Sequence, residues 1–534
     1  MMSKTKILAV ILAATMSMSA LTACGNTNEK ANSETKEDTS VASEQEENSE
    51  GTVESTGIIF PLDEKVEFTA MAPNLGEKNL ADSYAWKKLL EMANISVELT
   101  EAPNAETSEK ASLLITSGEY PDFMFKSTAV GDAETYGMEG IYIPLEDLIR
   151  EYAPNLTAIL DERDGWNDIT AADGHVYSLP YIDSPSVAAR AYINREWLDN
   201  LGLSMPTNAE ELYEVLKAFK EQDADGDGDP NNEIPFNFTA SDNWYPVMYY
   251  LQYFCEGYDL LGNSSKGSSY FSVIDGEVVA TALTDSFKND FIAYLEKLYS
   301  EGLIYKDAFV LTNEEQQVMQ SSGQVDGVTL AVRTSEIYAQ YDLLLPFQEN
   351  GFTMKNGITA NAMAITDKCE NPEILVALMD YLYTEEGGEL ACLGEEGVNY
   401  EKTAGGSYQY LDGVDEYDYI IRGFSPYPTL IPALANTVDS ELEPEVKHKS
   451  DQDKMATEHA VIMPKLKYTV EELEIVNGYA LDINTYINDY IASVVTGTTD
   501  LEETWEDYKA TLEKMGIEDV RKAVADAYAR AVSQ

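Results

Sequence analysis

Apolar and polar positions along this chain fall into short blocks with two periods. Val66-Glu67-Phe68-Thr69-Ala70 and Ile95-Ser96-Val97-Glu98-Leu99 read as strands, and Ser83–Met92 between them has helical spacing. Strand, helix, strand is the repeating unit of an α/β fold. Farther on, Leu212, Val215, Leu216 and Phe219 fall at i, i+3, i+4 and i+7, one apolar stripe on a helix. Thr207 and Glu210 stand three apart ahead of that stripe and predict a capping box. Arg190-Ala191-Tyr192-Ile193 is a short strand-like run. The tail is helical. Thr469 with Glu472 opens a helix carrying Leu473, Val476, Ile483, Ile487 and Ile491, and Trp505, Tyr508 and Leu512 line the next, with Gly516 near its end. Trp197 and Trp505 lie on helical faces and are expected in the core.

The N-terminus follows a different pattern. Lys4 and Lys6 precede a mostly apolar run, Ile7 to Ala20, and then Leu21-Thr22-Ala23-Cys24. A basic head, a short apolar stretch and small residues before a cleavage point make residues 1–23 a secretory signal peptide. The run is too short for a permanent membrane span. Cys24 after Leu-Thr-Ala resembles the lipobox of bacterial lipoproteins. That resemblance implies an acylated Cys24 as the first mature residue, on the extracellular face of the bacterial plasma membrane. Residues 25–57 are rich in Ser, Thr, Asn and Glu, with nine acidic residues against Lys30 and Lys36. So little apolar surface cannot offset ordering entropy, so 24–57 reads as a disordered acidic linker.

The body from Ile58 onward is long for one core and predicts two lobes. The chain's formal charge of −60 rules against nucleic acid and anionic membrane as partners. A neutral ligand or a metal cation suits that field better than an anion, unless a local basic pocket reverses it. Beyond Cys24 there are three cysteines, Cys255, Cys369 and Cys392, without metal-ligand spacing, which leaves one disulfide or buried thiols open. His175, His448 and His459 are scattered and offer little to a metal site or a catalytic triad.

A concentrated motif lies at Asp223-Ala224-Asp225-Gly226-Asp227-Gly228-Asp229-Pro230-Asn231-Asn232-Glu233-Ile234. Carboxylates at positions 1, 3 and 5 and Gly at position 6 reproduce the first half of a calcium loop. Asp223, Asp225 and Asp227 are candidate side-chain ligands, Asp229 would ligate through its main chain, and Asn231 stands ninth. Position 12 is Ile234, so Glu233, one residue earlier, is the candidate closing ligand. The alternative is a solvated acidic turn, but so many carboxylates in one loop repel one another unless a cation neutralises them. The expected cofactor is structural Ca²⁺, with Mg²⁺ less apt because of its rigid octahedral demand.

Tyr192-Ile193-Asn194-Arg195-Glu196-Trp197-Leu198-Asp199-Asn200-Leu201-Gly202-Leu203, followed by Met205-Pro206-Thr207-Asn208-Ala209-Glu210-Glu211-Leu212, resembles family 1 extracellular solute-binding proteins of ABC importers. The likeness is to their carbohydrate-type branch in Gram-positive bacteria. Other pieces occur in the expected order: Gly118-Glu119-Tyr120-Pro121-Asp122; Asp173-Gly174-His175-Val176-Tyr177-Ser178-Leu179-Pro180, with Ser178 where the branch has Gly; the acidic loop; Asn371-Pro372-Glu373, opening a helix to Tyr383; and Glu396-Gly397-Val398-Asn399-Tyr400. Each piece is weak alone; the ordered set over 60–534 is specific. The resemblance implies a two-lobed α/β Venus-flytrap fold with a helical C-terminal region. It implies a lobe of 58–190 plus 355–405 and another of 191–354 plus 406–534, with crossings near 185–192 and 348–358.

It also implies a carbohydrate ligand, an ABC permease as partner and a monomeric, non-enzymatic protein. Sugars stack their C–H faces on aromatic rings and hydrogen-bond at their edges. Trp244, Tyr245, Trp86, Trp166, Tyr181 and Tyr400 are the aromatic candidates for ligand binding, against core packing as the alternative. Asp183 and Arg190 are polar candidates, or form a hinge ion pair. A glycoside hydrolase or lyase is the competing class, with carboxylates abundant but no motif that singles out an acid and a nucleophile. A sugar receptor for a sensor kinase is a third.

Overall fold

The computed structural model describes residues 57–74, 78–185, 187, 190–239, 250–260, 270–330, 339–348, 351–402, 408–411, 433 and 444–533. Its strands are β1 (Val66–Pro73), β2 (Ile95–Ala102), β3 (Phe123–Phe125), β4 (Leu179–Ile182), β5 (Ala191–Asn194), β6 (Ile234–Asn237), β7 (Tyr258–Asp259), β8 (Phe271–Ile274), β9 (Glu277–Ala280), β10 (Asp326–Thr329), β11 (Tyr341–Leu344), β12 (Phe352–Met354), β13 (Ile358–Ile365), β14 (Tyr400–Lys402), β15 (Tyr408–Tyr410) and β16 (Ala460–Ile462). Helices pack on them, among them α1 (Tyr84–Ala93), α2 (Ala133–Met138), α3 (Trp166–Ile169), α4 (Arg195–Leu201), α5 (Ala209–Glu221), α6 (Pro372–Asp380), α7 (Pro444–Glu458), α8 (Val470–Val495), α9 (Leu501–Lys514) and α10 (Ile517–Val532).

Two sheets organise the body. The first has the order β2-β1-β3-β13-β4, and the second β11-β5-β10-β6. β1 runs parallel to β2 from Val66 opposite Ile95 to Pro73 opposite Ala102, and parallel to β3. α1 lies between β1 and β2 in the chain, as the alternation of apolar blocks predicts. Ser83 caps α1 by accepting from the Trp86 N–H at 3.4 Å, and Asn94 ends it in the left-handed region at φ 58°. Ala85, Trp86, Leu89 and Ala93 form its buried stripe. β13 enters antiparallel between β3 and β4.

In the second sheet β10 is parallel to β6, while β5 runs antiparallel to both β10 and β11. The predicted helix above it exists as α5, with Leu212, Val215, Leu216 and Phe219 buried. Its cap is shifted by one residue. Asn208, fully extended at φ −154°, accepts from the Glu211 N–H at 2.9 Å, and Glu211 reaches back to Thr207. Asn is as good a cap as Thr, and its extended backbone decides the start. The capping box of Thr469 and Glu472 forms as expected at the head of α8.

Each sheet has its own core. Phe123, Phe125, Ile365 and Leu378 belong to the first, and Ile193, Trp197, Phe219, Phe236, Val328 and Leu343 to the second. The helical tail joins the second core through Ile483, Ile487, Trp505 and Val524. The Tyr490 and Tyr508 rings stack at 4.0 Å there. Ala433 is buried in the first core, where its carbonyl accepts the Ile182 N–H at 3.0 Å, although the sequence assigns 406 onward to the second lobe. The chain thus returns to the first sheet before α7.

Candidate functional site

The acidic loop joins α5 to β6. Ala224 within it is fully buried, and its carbonyl accepts from Asn200 Nδ2 of α4 at 2.9 Å, which ties the loop to the body. Gly226 at φ +77° and Gly228 at φ +96° supply the two turns that a side chain would strain. Asp223, Asp225 and Glu233 each bring a carboxylate oxygen within 4.8 Å of the other two. Glu233 Oε1 accepts from the Ala224 N–H at 2.9 Å, while its Oε2 is buried without a donor. An unsatisfied buried carboxylate oxygen beside two further carboxylates fits a hard cation with oxygen ligands. Ile234 cannot serve at position 12, because its aliphatic side chain offers no ligand oxygen; it pairs instead in β6 opposite Asp326. The other three candidates turn inward to the loop itself. Asp227 accepts from the Asp229 N–H and from Asn232 Nδ2, both at 2.7 Å, and Asp229 accepts from the Asn231 N–H and Nδ2.

The second feature is the pair of sheet edges. β1, β3 and β4 all end on one edge of the first sheet, where β13 begins. β6, β10 and β11 end on one edge of the second, where β5 begins. The chain runs from the end of β4 to the start of β5, and from the end of β11 through β12 to the start of β13. Ligands of α/β sheets sit outside such carboxyl ends. The two crossings touch: the Asp183 N–H donates to the Gly357 carbonyl at 2.6 Å.

The candidate ligand residues are not gathered in one place. Trp244 and Tyr245 lie outside the described residues, in the segment that leaves β6 after Thr239. Trp86 is 2% exposed and packs on Phe125 at 5.0 Å, so it is a core ring rather than a wall of a cleft. Tyr400, 1% exposed, is likewise interior and donates to Glu389 Oε2 at 2.8 Å; burial raises its pKa. A ring at helical or strand spacing is packed by its neighbours before it is offered to a ligand, and sequence alone does not separate the two.

Trp166 on α3 is half-buried. Its Nε1 donates to Asp161 Oδ1 at 2.7 Å, and the Arg150 guanidinium lies 3.9 Å from its ring centroid. Tyr181 stands near the end of β4, opposite Thr359, and is buried in the first core like Trp86. Asp183 is held by local contacts: its carbonyl accepts from Arg163 at 2.6 Å and its Oδ1 from the Ser184 N–H. Arg190 forms an ion pair with Asp453 of α7 and not the hinge pair with Asp183 that the sequence left open.

Two further residues stand at the first sheet's edge that the sequence reading passed over. Asn74 follows β1, and its Oδ1 is buried without a donor. Lys126 follows β3 at φ +71°, is fully buried, and has its ammonium pushed down to about 7 by desolvation. The signal was available: each is a polar residue directly after an apolar strand. Among the described residues Cys255, Cys369 and Cys392 form no disulfide. Among the described residues no helix is long and apolar enough to cross a membrane.

Residues 73–389 match the family model of bacterial extracellular solute-binding proteins, and this chain belongs to that family. The fructooligosaccharide ABC transporter substrate-binding protein FusA of Streptococcus pneumoniae serotype 4 is 28% identical over 509 residues, covering 87% of this chain and 90% of that one. A structure of S. pneumoniae FusA as an EF-hand mutant in complex with fructo-nystose has 25% identity and a TM-score of 0.64, covering 88% and 99% of the two chains. An extracellular solute-binding protein from Bifidobacterium longum subsp. infantis, 21% identical, shares the fold with a TM-score of 0.72 over 88% and 99%. The fold is the two-lobed α/β architecture of such proteins, and the family consists of binding proteins.

Proposed function

We propose that this protein is the capture subunit of an ABC importer for a neutral oligosaccharide. It binds its ligand between the lobes and hands it intact to a membrane permease. The observation that carries this reading is the likeness to a fructooligosaccharide-binding protein along nearly the whole of both chains. A fructan is uncharged, which agrees with a net charge of −60. Trp244 and Tyr245, in the segment that follows β6, are the residues we assign to stacking on sugar rings. Closure follows from differential affinity: the shut form touches the ligand from both lobes and the open form from one.

Calcium belongs in the loop of Asp223, Asp225 and Glu233, where it neutralises three converging carboxylates and fixes the α5–β6 junction. It supplies no chemistry. Cys24 carries the lipid anchor, residues 24–57 are the tether, and the protein works as a monomer at the outer face of the plasma membrane, performing no reaction. Calorimetric titration with kestose and with a panel of neutral and uronic-acid oligosaccharides tests this, together with chromatography of the recovered sugar. Saturable binding of a neutral oligosaccharide recovered uncut is the expected result. Cleaved products, or binding confined to uronic-acid chains, would overturn it.

A further inference from the structure

Two strands leave the second lobe side by side. β12 pairs in parallel with β16, Phe352 opposite Ala460 and Met354 opposite Ile462. β12 runs on through Asn356 and Gly357 into β13 of the first lobe. The chain after β16 turns back instead, with Leu466 and Tyr468 buried in the second core. On the way it grips the first lobe without entering it. Lys465 forms an ion pair with Glu134 of α2, a helix whose Ala133 is packed against the first sheet. Asp168 of α3 accepts from Asn356 Nδ2 at 2.9 Å and faces the charges of both Lys465 and Lys467. Lys467 is 1% exposed, faces Glu134 as well, and has its carbonyl held by Arg530 Nε at 2.8 Å. Beside this quartet, Asn167 Nδ2 donates to the Ala531 carbonyl at the end of α10 at 3.0 Å, while its Oδ1 is buried without a donor.

We propose that residues 463–468 are a clasp. The quartet of Glu134 and Asp168 with Lys465 and Lys467 holds the lobes in the arrangement seen here and sets its balance against a more separated one. The crossing that must bend is adjacent. Gly357 sits at φ +76° with the Asp183 carbonyl 2.2 Å from where a Cβ would be, so the chain turns there in a conformation closed to other residues. Glu134 is fixed to the first lobe and Lys465 to the second, so rotation at that turn separates them. A buried charge that loses its partner is costly, whereas a pair neutralised on both sides is close to indifferent. The contact is therefore made or broken as a unit rather than graded, which is what a two-state element requires. Asn167, with one amide group satisfied and one not, adds little to hold the interface. The charges carry it.

This inference rests on the reading that the lobes move, and its test uses no sugar, so failure to bind any oligosaccharide leaves it standing. The ligand-free mature protein is compared by hydrogen exchange with Lys465→Met, with Glu134→Gln and with the double variant. Each single variant is expected to speed exchange in the peptides spanning 163–169 and 463–468 by roughly ten- to a hundredfold, while β1 and β10 keep their protection. The double variant, with neither charge left unpaired, is expected to return toward the wild type. Unchanged exchange in both single variants would overturn the clasp. So would loss of protection spread through both sheets, which would make the pair a general folding contact.

Discussion

Glu233→Gln separates the two things that Glu233 does in the calcium loop. Its Oε1 accepts the Ala224 N–H and its Oε2 is buried without a donor. A Gln keeps the acceptor for Ala224, removes one negative charge, and replaces the stranded oxygen by an amide that can donate to Asp223 or Asp225. With the cation bound, the loss should dominate. At free Ca²⁺ a hundredfold above its dissociation constant, mass action stabilises the folded chain by about 2.7 kcal/mol. For a lobe of some 200 residues, ~2–4 °C per kcal/mol gives a fall in Tm of roughly 5–10 °C on chelation. With the cation removed the sign should reverse. The wild type then holds three converging carboxylates and one unmet oxygen, worth about 1–3 kcal/mol against it, and the variant holds less of both. Differential scanning calorimetry of both proteins, in Ca²⁺ and in chelator, should show the wild type higher in the first and the variant level or higher in the second. A wild-type Tm indifferent to the chelator, or a variant that is lower in both conditions by the same amount, would refute a cation at this loop.

Cys24→Ser should release the protein into the medium or leave it uncleaved; fractionation that finds it retained on the membrane as usual would contradict the lipid anchor. Trp244→Ala should weaken kestose binding by about 1–3 kcal/mol in a fluorescence or calorimetric titration, and full affinity would return Trp244 to the core. Asp326 is wholly buried, accepting from Asn237 Nδ2 at 3.0 Å, and burial raises its pKa from 3.8 to about 7. Between those values the folded chain holds a proton that the unfolded chain has lost, so this group lowers stability as pH rises from about 4 to 7, by at most about 4 kcal/mol. Asp326→Asn should therefore flatten the decline and melt higher than the wild type at pH 8. An identical dependence of Tm on pH in the two proteins would remove Asp326 as its source.

What could be read from the chain depended on whether the information was local. The β1-α1-β2 unit, the stripe of α5 and the capping box of Thr469 and Glu472 are set by neighbouring residues, and they form as the spacing predicts. The convergence of Asp223, Asp225 and Glu233 was legible for the same reason, since one tight loop contains all three. The place of β13 between β3 and β4 was not, because its partners lie far away in sequence. The same holds for the sheet edge: that Asn74, Lys126 and Tyr181 follow or end strands on one edge of the first sheet is known only once the strand order is. Trp86 and Tyr400 looked like wall residues because a ring on an apolar face and a ring beside a loop have the same local pattern. The shift of the α5 cap to Asn208 is a smaller matter of two good caps in adjacent positions.

The central claim is that two lobes shut on an uncharged sugar and let it go unaltered. Small-angle X-ray scattering of the protein with and without a saturating neutral oligosaccharide such as kestose tests it most directly. A smaller radius of gyration with the sugar, reversed when the sugar is dialysed away, is the result this account predicts. Identical scattering curves with a sugar demonstrably bound would contradict it.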